Sequence, residues 1–131
     1  MSPLPARERD LTKCEDMRIY AERAREFLRA RSWDDFRADE LLQAAVIRCI
    51  EVIGEAARQV SEDTRRRAPG IPWSLIIGMR NVLAHDYGAV DLDRVYRVTT
   101  NDLPQLIERL GELISALESE VGWREDENDE R

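Results

Sequence analysis

The sequence predicts an all-α fold, an up-and-down bundle of about five helices, and three observations lead there; that the bundle dimerises is expected separately, from the broad apolar face of its second helix and a site that one chain leaves incomplete. Apolar residues recur at three- and four-residue steps through most of the chain. No stretch alternates apolar and polar residues as a half-buried strand would. Residues that start or stop helices, among them Asp39, Pro72, Gly88 and Asp91, stand at the ends of the periodic runs. At 131 residues the chain suits one domain with one core. Its expected organisation is a flexible leader over 1–9, a helical domain over 10–121 and an acidic, disordered tail over 122–131.

The first helix is expected from Asp10, a suitable N-cap, to about Arg31, with Leu11, Cys14, Met17, Ala21, Ala24 and Leu28 as its stripe and Tyr20 and Phe27 widening it. Arg18, Glu22, Arg25, Glu26 and Arg29 form i, i+3 and i, i+4 opposite-charge pairs, the pattern of a solvated face. Residues Ser32 to Phe36 break the period and read as a connecting loop docked by its aromatic rings. A second helix over about Asp39 to Val60 repeats Leu42, Val46, Cys49, Ile53, Ala56 and Val60, flanked by Leu41, Ala45, Ile50 and Ala57. So broad an apolar face is buried from two sides, which makes this the central helix. Gly54 and Ala57 allow a neighbouring backbone to come close. Ser61 to Ala68 is a short helical turn leading into a stiff Pro-Gly-Ile-Pro loop.

Pro72 then opens a helix that Gly88 closes. On a wheel at about 100° per residue, Leu75, Ile76, Met79, Val82 and Leu83 share one arc, the expected core side, and Arg80, Asn81, Ala84 and His85 share the other. Asp91 caps a run with Leu92, Val95, Tyr96 and Thr99, and Asp102 with Pro104 restarts or kinks it. Leu103, Leu106, Leu110, Leu113 and Leu117 continue as a coiled-coil-like seam.

Composition narrows the function only modestly. The formal charge is −7, but seven acids and two arginines after residue 117 supply −5 of it, leaving the body at −2. Of the 20 basic residues only Lys13 is not arginine, which suits ion pairs and phosphate forks or reflects genome composition. The N-terminus lacks a secretory signal and no segment approaches a membrane span, so a cytoplasmic protein is expected. Cys14 and Cys49 stand singly in helical patterns and read as core, with neither a disulfide nor a zinc site, and no cofactor or metal is expected.

The chemistry concentrates in Met79 to Gly88, which holds the only histidine. A histidine, with its ordinary pKa of about 6.5, can take the 2′-hydroxyl proton of RNA or give one to the leaving oxygen, while an arginine neutralises the phosphorane between them. Asn81 and His85 are four residues apart, and Arg80 and Tyr87 seven. The helix end favours imidazolium at His85 and Arg80 opposes it. Glu55 has two readings, solvent exposure or a pair with Arg80 that fixes its guanidinium, and the first is preferred because spacing alone does not bring the two together. Arg65, Arg66 and Arg67 either contact RNA phosphates or complement the end of a helix.

Three segments carry a resemblance: Arg48 to Ala56 with its Ile-Gly-Glu-Ala core, Ile71-Pro72-Trp73, and Ile77 to Tyr87 with its Arg-Asn-x-x-x-His-x-Tyr pattern, followed by Asp102-Leu103-Pro104. Over roughly residues 10 to 120 the chain resembles the HepT-like family of the HEPN superfamily. That resemblance implies a dimerising helical bundle and a metal-independent endoribonuclease, the toxin of a toxin–antitoxin pair, with Arg80, Asn81 and His85 at the dimer cleft. It further implies an antitoxin of the MntA nucleotidyltransferase type that transfers AMP to Tyr87. The alternative is a non-catalytic helical scaffold that binds a nucleotide or the nucleotidyltransferase.

Overall fold

A computed structural model describes residues 4–85 and 90–129, with the side chains of 4, 5, 81, 82, 84, 85 and 123–129 outside the description. Its long helices are α1 (Leu4–Leu28), α3 (Glu40–Gln59), α5 (Trp73–His85) and α7 (Leu103–Asp129). Between them lie the six-residue helices α2 (Trp33–Ala38), α4 (Glu62–Arg67) and α6 (Leu92–Arg97), and a π-helical turn over Val98–Asp102. Every described element is helical, as the periodicity predicts. The expected five helices resolve into four long ones and shorter connectors.

The body is α1 packed against α3 and α7, and α5 is laid on the far side of α3. Met17, Ala21, Val46, Ala57, Leu110 and Leu117 are fully buried between the body helices. The whole α7 seam expected from sequence is inside, none of its five leucines being more than 6 % exposed. Cys14 and Cys49 are buried thiols, and desolvation pushes Cys14 up to about 12, so it is a packing residue rather than a nucleophile. Among the described residues no helix is long and apolar enough to cross a membrane.

Several boundaries differ from the sequence reading. The first helix starts at Leu4, inside the expected leader, and α7 runs to Asp129, through most of the expected tail. Asp10 is no N-cap. It lies inside α1 at 0 % exposure, where it accepts hydrogen bonds from the Ser61 backbone N–H at 2.9 Å, the Ser61 hydroxyl at 2.6 Å and the Thr64 hydroxyl at 2.5 Å. A buried carboxylate with three donors is a satisfied one, and it ties the start of α4 to α1. Arg7, also buried, pairs with Glu120 of α7, and Arg67 joins the same carboxylate at 2.6 Å.

The expected loop after α1 is a helix because Ser32 and Asp35 cap each other, Asp35 N–H to Ser32 Oγ at 3.1 Å and Ser32 N–H to the Asp35 carboxylate at 2.9 Å. Its rings do dock, Trp33 and Phe36 lying 5.6 and 5.7 Å from the Tyr96 ring of α6. Phe27, expected in the core stripe, is 42 % exposed. At the other end Asp91 caps α6 as expected, accepting from the Arg94 N–H at 3.1 Å. The widened turn before Pro104 follows from that residue's missing N–H and bulky ring, which deny it an ordinary place in a helix interior. Thr99 and Thr100 return their hydroxyls to the Val95 and Tyr96 carbonyls, both at 2.9 Å.

Candidate active site

Helix α5 is set on α3 by an approach that only glycine permits. A Cβ at Gly54 would stand 2.2 Å from the Arg80 Cβ and 3.1 Å from the Ile76 carbonyl oxygen. The contact is between the backbone of one helix and the root of a side chain on the other, so neither can yield without moving a helix. The start of α5 is anchored separately: Trp73 is 8 % exposed and its indole N–H donates to the Ala68 carbonyl at 3.1 Å.

This packing revises the helical wheel. Leu75, expected in the core, is 69 % exposed, while Arg80, expected on the open arc, lies over Gly54 against α3 with only 31 % of its side chain exposed. Beyond Trp73, none of the described α5 side chains is buried. The cause is that the one long helix α5 packs on is α3, so the covered side is set by the glycine and not by the centre of the apolar arc. Five residues turn an α-helix through about 500°, which places positions 80 and 85 about 140° apart around the axis.

Glu55, next to the glycine, reaches Arg80. Its Oε2 is 3.3 Å from Arg80 Nη2, whereas its Oε1 accepts from Arg58 Nη2 at 2.7 Å and Gln59 Nε2 at 3.1 Å. Solvent exposure, the preferred reading from sequence, therefore gives way to the pair with Arg80: one turn of α3 carries both the glycine that admits Arg80 and the carboxylate that faces it. Oε2 is buried and, among the described residues, accepts no hydrogen bond, so the guanidinium charge is what compensates it. Hydrogen bonds from Arg58 and Gln59, helped by the Arg58 and Arg80 charges, hold the Glu55 carboxyl below its ordinary 4.5. Arg80 opens onto a cleft of about 220 Å³ shared with Lys13, Asp16, Arg48, Glu51 and Glu55.

The arginine triplet is divided. Arg65 donates from Nε to the Val60 carbonyl at 3.0 Å and from Nη2 to the Arg58 carbonyl at 2.8 Å, closing the end of α3. Arg67 grips Glu120 with both terminal nitrogens, at 3.0 and 2.6 Å. Arg66 is exposed. Arg65 thus bonds the end of α3 rather than the end of its own helix, and Arg65 and Arg67 are turned to different partners. Asn81 and His85 belong to the last turns of α5, but their side chains, and all of Asp86, Tyr87 and Gly88, lie outside the described residues. Gly54 and Glu55 are visible in the sequence as a small residue and a charge; what joins neither to Arg80 there is the missing register between α3 and α5.

A helical bundle with a carboxylate-braced arginine opening onto a polar cleft is the setting in which the family comparison is informative. The Ribonuclease HepT-like family matches residues 17–113, well over half of the chain. Among curated proteins, the probable ribonuclease HepT of Thermococcus cleftensis is 38 % identical over 92 residues, which cover 70 % of this chain and 84 % of that protein. A candidate RNase of Methanocaldococcus jannaschii is 32 % identical over 103 residues, 79 % of this chain and 89 % of its own. Another, from Caldanaerobacter subterraneus, is 30 % identical over 113 residues, 86 % of this chain and 95 % of its own. The chain belongs to the HepT-like ribonuclease family. No solved structure matches it.

Proposed function

We propose that this protein is a metal-independent endoribonuclease acting as a homodimer in the cytoplasm, the toxin of a toxin–antitoxin pair silenced by AMP transfer to Tyr87. The observation that carries the catalytic part is the seating of Arg80 on Gly54 with the Glu55 carboxylate 3.3 Å from its guanidinium, inside a chain of this family. A long arginine held from two sides enters the reaction already oriented, which is what stabilising charge at a phosphorus centre requires. In this reading the 2′-oxygen attacks phosphorus, the bond to the 5′-oxygen breaks, and the products are a 2′,3′-cyclic phosphate and a 5′-hydroxyl. Arg80 takes the growing charge on the non-bridging oxygens. His85 removes the 2′-proton or protonates the leaving oxygen, and Asn81 orients the imidazole or the phosphate.

The dimer is supported by α5 itself. On its side away from α3 a Cβ at Gly78 would meet nothing within 4 Å, which leaves room for a partner's backbone. Each chain holds one histidine, so a second copy supplies the second imidazole, one acting as base and the other as acid. The test is cleavage of single-stranded RNA in excess EDTA: cyclic phosphate ends are expected, and cleavage that survives both Arg80→Ala and His85→Ala would favour a non-catalytic scaffold instead.

AMP on Tyr87 would bring a bulky nucleotide and a negative phosphodiester to the cleft, blocking it by volume and by charge together. Co-expression with the cognate nucleotidyltransferase is expected to add AMP mass at Tyr87 and stop cleavage. Tyr87→Phe should stay active in its presence; a suppressed but unmodified Tyr87→Phe protein would mean inhibition by binding alone.

A further inference from the structure

On the side of α5 that carries Leu75, Ile76 and Met79, a cavity of about 500 Å³ separates α5 from α6, the π turn and α7. Its apolar floor includes Leu75, Met79 and Leu106, and three arginines, Arg94, Arg97 and Arg109, stand around it against one carboxylate, Asp102. In a chain of net charge −7 this is a local reversal of sign. Two of the three arginines are braced. Arg97 Nε pairs with Asp93 at 3.0 Å, and Arg109 Nη1 donates to the Gly70 carbonyl at 2.6 Å, leaving the other guanidinium N–H groups to bind a ligand with little further ordering. Leu75, 69 % exposed, keeps the floor open to solvent.

We propose that this groove is a binding track for single-stranded RNA on one side of the scissile bond, with bases against the aliphatic floor and backbone phosphates on Arg94, Arg97 and Arg109. The proposal rests on the ribonuclease reading and names where its substrate runs. The groove runs along α5, the helix that also carries Arg80, and its lining residues Leu75, Ile76 and Met79 stand on the arc of that helix next to the one that holds Arg80. Apolar floor and cationic rim match the two chemistries of a nucleotide, whereas a purely apolar partner face would leave three guanidinium groups to be desolvated. With Leu75, Met79 and Leu106 in the floor, the track holds bases by aliphatic contact rather than by ring stacking.

The test uses full-length protein carrying His85→Ala to prevent turnover, a fluorescein-labelled single-stranded oligouridylate, and anisotropy titrations over a range of salt. Adding Arg94→Glu with Arg97→Gln should weaken binding about tenfold or more and lower the salt slope by about two. Arg94→Lys with Arg97→Lys should recover most of that slope, and Arg18→Gln, on α1 and outside the groove, should leave affinity unchanged. Equal affinity and slope in the Glu/Gln variant and its parent would overturn the proposal. So would a Glu/Gln variant that alters only the sedimentation of the protein, which would make the groove a contact between copies of the chain. Cleavage by the chain with His85 intact is measured separately: groove binding without cleavage would defeat the ribonuclease reading and keep the groove, and cleavage with an indifferent groove would do the reverse.

Discussion

Two polar clusters in this bundle, one between α1 and α4 and one between α3 and α5, have opposite characters. Around Asp10 everything is closed: the carboxylate is fully buried, three donors reach it, and the elements it joins are α1 and α4. Around Arg80 the arrangement is open: the guanidinium and Glu55 are about one-third exposed, one carboxylate oxygen accepts no hydrogen bond among the described residues, and a cleft leads to them. A charge with every partner supplied by the fold holds the fold together. A charge held from behind and left open in front is available to a ligand. On the proposed reading the difference assigns stability to the closed cluster and chemistry to the open one.

Substitutions can break the comparison from either side, and the largest effect is expected at the closed cluster. Asp10→Ala strands the Ser61 and Thr64 donors in the interior and should lower stability by about 3 kcal/mol, read by denaturant unfolding, while cleavage per folded molecule is unchanged. Gly54→Ala comes next. The new Cβ pushes α5 off α3, and overpacking of this kind costs about 1–3 kcal/mol, but here the loss should also reach RNA cleavage, because the root of Arg80 is what moves. A stable Gly54→Ala protein with full activity would show that the seat is not needed.

Glu55→Gln is smaller and sharper. It keeps the shape, removes the charge facing Arg80, and should reduce cleavage about tenfold with little change in melting temperature. The sign of its pH dependence follows from the lowered carboxyl: the Glu55 pairing is present above the unfolded value near 4.5 and is lost only as pH falls through the lower folded value. Cleavage measured at mildly acidic pH should therefore owe its decline to groups other than Glu55, and the Gln variant should show the same decline. Smallest of all is Arg66→Ala, an exposed residue, for which stability should stay within about 0.5 kcal/mol of the parent.

Much of this architecture is legible in the sequence. The stripe of α3 and the leucine seam of α7 follow from period alone, and Asp91 caps where its position before a periodic run says it should. The short α2 escapes the pattern although Ser32 and Asp35 hold the spacing of a capping box, because its six residues are too few to show a period. Asp10 misleads because a buried acceptor and an N-cap look alike in one dimension; its partners Ser61 and Thr64 are more than fifty residues away. The candidate site is half legible. Motif resemblance singles out Arg80, but its pairing with Glu55 and its seat on Gly54 depend on helix register, which the intervening proline-rich loop sets and local pattern does not reveal.

The central claim, that chemistry resides in the open cluster and stability in the closed one, is tested most directly by measuring RNA cleavage in EDTA and denaturant unfolding side by side for the parent, Arg80→Ala and Asp10→Ala. Loss of a single charge-stabilising donor typically costs about 100- to 1,000-fold in rate, and that loss is expected for Arg80→Ala with a nearly unchanged unfolding midpoint. Asp10→Ala should give the reverse, a lowered midpoint with cleavage intact under conditions where it is folded. Cleavage by Arg80→Ala at the parent's rate would contradict the account.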